Sequence, residues 1–297
     1  KSWHNGCTAL TKNQIGLFMA EKLSEKDIEN INIEGTEEYA VMPLRNTVLF
    51  PQQVIPIYIG REKSLKLISD IELEKRKYII VVAQEDGSIE DPSTEDLYSY
   101  GTLATVLKVF AMPDNSKSAI VQGIARVKIL DYLSKEPYFK AAASKVSDDP
   151  ISDSIELDEI VENLRTSFAD LIKVAPNLTE EHTGMLSNIK KPNRLVDRAV
   201  SLMTLPNQEK QEILEEVNIK SRIDKAISII NREIQRIKLG EEIQTEVHDE
   251  IAKTQREYYL REQMKAIQKE LGEDEGTVEL KELEERIKDA KMPEASE

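Results

Sequence analysis

The sequence predicts an α+β fold: a small, mostly antiparallel β domain, then a helical bundle, then a very long coiled-coil-like helix. Two shifts in pattern carry that expectation. Between Tyr39 and about Ser147 the chain is rich in β-branched and aromatic residues separated by turn signals, whereas after Ser154 it becomes charged, Glu/Lys/Ile-rich and helically periodic. From about Ile219 to Leu271 no proline occurs.

In the first part, Ala40 to Met42, Thr47 to Phe50 and Val54 to Ile59 read as short extended segments. Pro43, Pro51 and Pro56 each remove a ladder donor, so these segments belong at edges, bends or strand ends. Arg61 to Lys75 places Leu65, Ile68 and Ile71, with Leu67 beside them, on one helical face, and Tyr78 to Ala83 is an unbroken apolar run that reads as a buried strand. Gly101 to Met112 alternates, with Leu103, Thr105, Leu107 and Val109 on one side. Pro113 to Ser116 is then a turn, and Ser118 to Ile124 the returning strand of a hairpin. Ala125 to Leu133 and Tyr138 to Val146 are expected as two further strands, separated by a turn at Lys135-Glu136-Pro137.

The polar stretch Ser147 to Ser154 reads as a domain edge. Beyond it, Asp158 to Val174, Thr179 to Ile189, Asn193 to Met203 and Asn207 to Val217 are expected as four short helices, with Pro176, Pro192 and Pro206 near helix starts. Ile223, Ile227, Ile230, Ile234 and Ile237 then follow the alternating four-three spacing of a coiled-coil seam. The stripe changes phase near Gly240, continues through Ile243, Val247 and Ile251, and resumes at Leu260, Met264, Ile267 and Leu271. The expected divisions are therefore an extension at 1–36, a β-rich domain at 37–150, a bundle at 151–218, a long helix at 219–272 and a connector at 273–297.

Composition excludes several function classes. Forty Lys and Arg against 55 Asp and Glu leave a formal net charge of −15, which disfavours nucleic acid and anionic membranes as partners. A single cysteine, Cys7, forms no internal bridge, and no run of 18 apolar residues occurs, so a cytoplasmic, soluble chain with no membrane partner is expected. No G-x-x-x-x-G-K-[ST] loop and no G-x-S-x-G elbow is present, and the three histidines fall in different segments. Glu246-Val-His248-Asp-Glu250 lacks a His pair at i, i+4 and reads as a solvated helix face. The expectation is thus no catalytic residue, no metal and no cofactor within this chain.

Two stretches remain informative. Met42 to Pro51, continuing to Ile55-Pro-Ile-Tyr-Ile59, reads either as core strands or as a partly exposed apolar groove or strand edge suited to extended peptides. On the second reading Leu44, Phe50, Ile55 and Tyr58 are the candidate substrate contacts. Gln255 to Gly272 carries a packing stripe, while the adjacent Tyr258 and Tyr259 put two amphipathic rings on neighbouring faces, a pattern suited to more than one contact.

The same stretches carry a family resemblance. Pro43-Leu-Arg-Asn-Thr-Val-Leu-Phe-Pro51 with Gly60-Arg-Glu-Lys-Ser64 resembles the opening of the N-terminal domain of Lon, the ATP-dependent serine protease family. Tyr100 to Val106, Leu107 to Pro113 and Gly123 to Lys128 are similar to that domain's hairpin and following strand, and Gln255 to Gly272 is similar to the family's long-helix motif. The resemblance spans about residues 39 to 295. It implies a PUA-like β domain, a bundle and a long helix preceding an ATPase module and a Ser-Lys protease domain in a homohexamer that uses ATP and Mg. The phosphate loop and the Ser-Lys pair have no counterpart in this sequence, so the resemblance implies a non-catalytic region. Its expected role is to capture unfolded or damaged proteins and to help hexamer assembly and delivery to the ATPase pore. Ile223, Ile227, Ile230, Ile234, Ile237, Tyr258, Tyr259, Leu260, Met264 and Ile267 are the candidate self-association residues. The competing expectation is a coiled-coil adaptor whose β module binds one folded partner.

Overall fold

The computed structural model describes residues 38–74, 78–149, 155–270, 280 and 282–287. The expected extension at 1–36 and most of the expected connector at 273–297 lie outside these residues. Element order is β1 (Glu38–Leu44), β2 (Val54–Ile59), α1 (Glu62–Glu74), β3 (Tyr78–Ala83), a 3-10 turn (Thr94–Asp96), β4 (Tyr100–Ala111), β5 (Lys117–Ser134) and β6 (Lys140–Lys145). Helices α2 (Ile155–Val174), α3 (Glu180–Ser187), α4 (Pro192–Leu202), α5 (Asn207–Glu215) and α6 (Ile219–Glu270) follow. The α+β expectation holds.

The sheet order is β2-β5-β4-β3-β1-β6, and β6 also pairs with β5, so five strands close on themselves and β2 is left as an appendage. Closure removes the edges of those strands where they pair. Every pairing is antiparallel except β1 with β3, which are joined through β2 and α1. Both faces of the sheet are buried. Tyr39, Val41, Ile80, Val82, Leu103 and Phe139 belong to one apolar cluster, whereas their neighbours Ala40, Met42, Ile79, Val81 and Ala104 join a second cluster with Leu67, Ile68 and Ile71 of α1.

Three expected strands differ from the structure. Ser118 to Ile124 and Ala125 to Leu133 are one 18-residue strand, β5. It changes partner along its length, pairing its first part with β2 and its last part with β6. Register shifts against both β4 and β6 bend it around the barrel, and a bend made by bulges leaves no turn residue in the sequence. Thr47 to Phe50 is not a strand. The chain there turns back through Gln52, at φ 63°, and is held by hydrogen bonds from Gln52 N to Gly123 O and from Gly123 N to Gln53 O. Val48, Leu49 and Phe50 are buried by that crossing. It requires Gly123: a Cβ there would lie 2.2 Å from the Phe50 carbonyl oxygen.

The barrel meets the helices at a buried ionic cluster. Arg126 of β5 bonds to Asp197 of α4 and donates through Nε to the Leu214 carbonyl of α5 at 3.0 Å. Arg222 of α6 donates to Asp148, which follows β6, at 2.5 Å and through Nε to the Glu216 carbonyl at 2.6 Å. Arg126, Asp197 and Arg222 are all buried. Burial raises the Asp148 carboxyl, but Arg126 and Arg222 more than offset this and hold it below the ordinary carboxylate range. Asp197 is pushed above that range because its complete burial outweighs the two arginines.

The chain divides into two compact units at Ile234/Gln235. The first holds the barrel, helices α2–α5 and the start of α6, where Ile219, Ile223, Ala226 and Ile230 are buried. Arg232 bonds to Glu209 of α5 at 2.5 Å, and Lys220 to Glu156 of α2. In the second unit Leu239, Ile243, Val247 and Ile251 are exposed.

Two stability predictions follow from this packing. Gly123→Ala is expected to destabilise the fold by about 2–3 kcal/mol, because neither backbone can yield freely. Asp197→Ala leaves buried guanidinium charge unmatched and is expected to cost about 3–5 kcal/mol. Urea denaturation followed by circular dichroism checks both; a change below about 0.5 kcal/mol in either would contradict the packing described.

Candidate functional site

β2 pairs along one side with β5 alone, from Val54↔Gln122 to Ile59↔Lys117. β6 pairs with β1 only over Glu38 to Ala40, so the C-terminal half of β1 has β3 on one side and no strand on the other. β2 and helix α1 cover one face of β1, where Met42 and Leu44 pack with Ile57, Ile59, Leu67, Ile68 and Ile71. At the N-terminal end of α1 this packing leaves a cavity of about 590 Å³.

Met42, Leu44, Ile57, Ile59 and Leu67 make its apolar floor, and Arg45, Arg61 and Lys63 stand at its rim with Glu62, Glu90 and Asp91. The loop after β3 closes one side. The Ile89 carbonyl there accepts from Gln84 Nε2 at 3.1 Å, Arg45 Nη2 at 3.4 Å and Arg61 Nη2 at 3.5 Å. Arg61 also donates to Gln84 Oε1 at 2.7 Å. Lys63 pairs with Asp91 and Glu136 at 3.5 and 3.4 Å.

The four sequence-derived contact residues separate. Leu44 and Tyr58 both line the cavity, Leu44 from its largely buried floor and Tyr58 from a side chain left 65% exposed. The Tyr58 hydroxyl donates to Asp114 at 3.0 Å. Bonds from Ser116, side chain and then backbone, together with Tyr58, hold the Asp114 carboxyl below its ordinary range. Ile55 is half-buried on β2 outside the cavity, and Phe50 is 1% exposed inside the fold. Arg45 and Arg61 were not singled out from the sequence. They lie 16 positions apart, and only the return of α1 against β1 brings them to one carbonyl oxygen.

The long helix splits the other candidates. Ile223 and Ile230 are buried, while Ile227, Ile234 and Ile237 are half-buried. Tyr258, Tyr259, Leu260, Met264 and Ile267 are exposed, as are Leu239, Ile243, Val247 and Ile251 before them. Gly240 lies within continuous helix. Among the described residues no cluster of three or more His, Cys, Asp or Glu is arranged to hold a metal ion, and no helix is long and apolar enough to cross a membrane.

Comparison with known proteins bears on this architecture. A family model described as the ATP-dependent protease La (LON) substrate-binding domain matches residues 38–232. A Lon protease of Dictyoglomus thermophilum is 38% identical over 258 residues, which cover 86% of this chain and 32% of the relative. A Lon protease of Koribacter versatilis is 41% identical over 255 residues, covering 85% of this chain and 31% of the relative. The chain thus spans about a third of the length of the curated relatives it matches. Among solved structures, the N-terminal domain of a Mycobacterium avium complex Lon protease superposes with a TM-score of 0.54 at 18% identity, covering 66% of this chain and 98% of that one, a likeness of fold. The matched residues take in the barrel, its cavity, the four bundle helices α2–α5 and the start of the long helix, and the chain belongs to the Lon substrate-binding domain family.

Proposed function

We propose that this chain is a non-catalytic region of a Lon-like ATP-dependent serine protease, one that captures unfolded or damaged polypeptides and gathers copies of itself. The observation that carries the reading is the apolar opening beside the edge of β2 that, among the described residues, pairs with no strand. An extended chain can pair its backbone with such an edge while apolar side chains enter the adjoining cavity, a mode that demands little sequence specificity. Generic binding of this kind is weak at one site. Repetition of the site in an oligomer raises its effective concentration and offsets that weakness.

The exposed stripe of α6 supports the self-association half of the reading. Its apolar side chains from Ile243 to Ile267 recur along a charged helix and are costly to leave in water. A homohexamer in the cytoplasm, with ATP and Mg bound and peptide bonds cut by portions outside this sequence, completes the assignment. Because the relatives are named Lon protease, those portions are expected to supply the nucleotide and catalytic chemistry.

Binding to a reduced, carboxymethylated protein, measured by fluorescence anisotropy, is expected at micromolar concentration, with no binding to the same protein in native form. Equal binding to both forms would favour the folded-partner adaptor instead. Static light scattering over a concentration series tests association. Ile251→Lys with Met264→Lys is expected to lower the apparent mass at high concentration while leaving the melting temperature within a few degrees. Ile230→Ala, by contrast, is expected to cost about 2–5 kcal/mol of stability. An unchanged mass in the doubly substituted protein would remove the stripe from assembly.

A further inference from the structure

We propose that the cavity between β1, β2 and the first turn of α1 receives the C-terminus of a polypeptide, its apolar last side chain on the Leu44 floor and its free α-carboxylate between Arg45 and Arg61. The proposal rests on the capture reading and narrows it to a class of ligand.

Arg45 and Arg61 share the rim with Glu62, Glu90 and Asp91, yet neither guanidinium is closely paired by those acids. Arg45 and Arg61 both direct Nη2 at the single neutral carbonyl of Ile89, at 3.4 and 3.5 Å, where Gln84 already donates at 3.1 Å. One carbonyl has two lone pairs, so three donors exceed what it can satisfy well. Arg45 Nε is buried without a hydrogen-bond partner. The nearest acid to Arg45 is Glu90 at 3.9 Å, and that side chain is almost wholly in solvent. Asp91 is engaged by Lys63. Among the described residues Arg61 has no carboxylate within ion-pair distance. Its guanidinium is held below its ordinary pKa, first by burial and then by the charge of Arg45, which together outweigh the opposing charges of Asp91 and Glu90. The first turn of α1 lines the same space and adds the positive end of its dipole.

The rest of the cavity selects among anions. Its floor is apolar, formed by Met42, Leu44, Ile57, Ile59 and Leu67, and about 590 Å³ has room for one or two large side chains. Inorganic anions leave such a floor empty. An internal Asp or Glu carries its charge at the end of its own side chain and brings no apolar group with it. A chain terminus ending in an apolar residue carries both groups on one Cα, and planar guanidinium groups match a carboxylate in geometry as well as charge. Among the described residues the edge of β2 away from β5 pairs with no strand, which leaves it to the extended backbone leading into the terminus.

Fluorescence anisotropy on the 297-residue chain tests this with three labelled decapeptides that differ only at the end: Leu with a free carboxylate, Leu carboxamide, and Ser with a free carboxylate. The Leu acid is expected to bind about tenfold more tightly than either of the others at low salt. Arg61→Gln is expected to bring the acid and amide within about twofold of each other, with amide binding unchanged as a sign that the cavity is intact. Should circular dichroism show that Arg61→Gln does not fold, Arg45→Gln carries the same expectation. Equal affinity for acid and amide, equal affinity for the Leu and Ser acids, or a preference that survives both substitutions overturns the proposal. In those cases, binding of a carboxymethylated unfolded protein leaves the general capture reading standing. Loss of that binding together with all three peptides overturns both.

Discussion

Four charged side chains hold the barrel to the helices, and the rest of the first unit is arranged around them. Arg126, Asp148, Asp197 and Arg222 come from β5, the segment after β6, α4 and α6. Such groups are expensive to remove from water, and their attraction repays that cost only where geometry and further hydrogen bonds are favourable. Here the Nε atoms of both arginines find helix-end carbonyls, at Leu214 and Glu216. Carbonyls at the end of a helix have no intrahelical donor, so one guanidinium both neutralises a carboxylate and caps a helix. The cluster thereby helps to fix where α5 ends. An apolar substitute could fill the volume but would not direct that helix end.

With that junction set, β5 becomes the organising strand of the barrel. It carries Arg126 at the helical interface, Gly123 beneath the Phe50 crossing, and Lys117 to Gln122 along β2. β5 pairs first with β2 and then with β6, so β2 lies beside the closed strands and packs with α1 over one face of β1. The cavity lies where β1, β2 and the first turn of α1 meet. A site made this way has apolar walls, because it is continuous with the core, and polar rims, because the strand ends and helix start around it meet solvent.

Much of this architecture is legible in the chain. The apolar run of β3, the prolines at the starts of α4 and α5 and the isoleucine spacing of α6 all appear in the structure, each being a regularity a single element must obey to bury one face. The expected alternation of β4 does not persist, because register shifts put Leu103 in one apolar cluster and Val109 against the other. The divided fate of Leu44, Ile55, Tyr58 and Phe50 is not legible in the chain. All four are apolar residues in one proline-rich stretch, and local pattern treats them alike. Phe50 is enclosed because the loop crosses Gly123, and Tyr58 is exposed because β2 has no second neighbour. The same holds for α6, where apolar stripes of similar spacing place Ile223 in the core and Ile251 in solvent.

The sequence by itself determined the fold class, most of the succession of elements, a long helix from about Ile219 and the resemblance to the Lon family, all of which depend on residue order over short spans. The tertiary structure alone decided which apolar side chains are enclosed, that one bent strand serves three partners, and that Arg45 meets Arg61 while Arg126 meets Asp197. The physical reason is one of range. Periodicity is imposed by the geometry of neighbouring peptide units, whereas charge convergence and burial arise where segments distant in the chain are folded against one another.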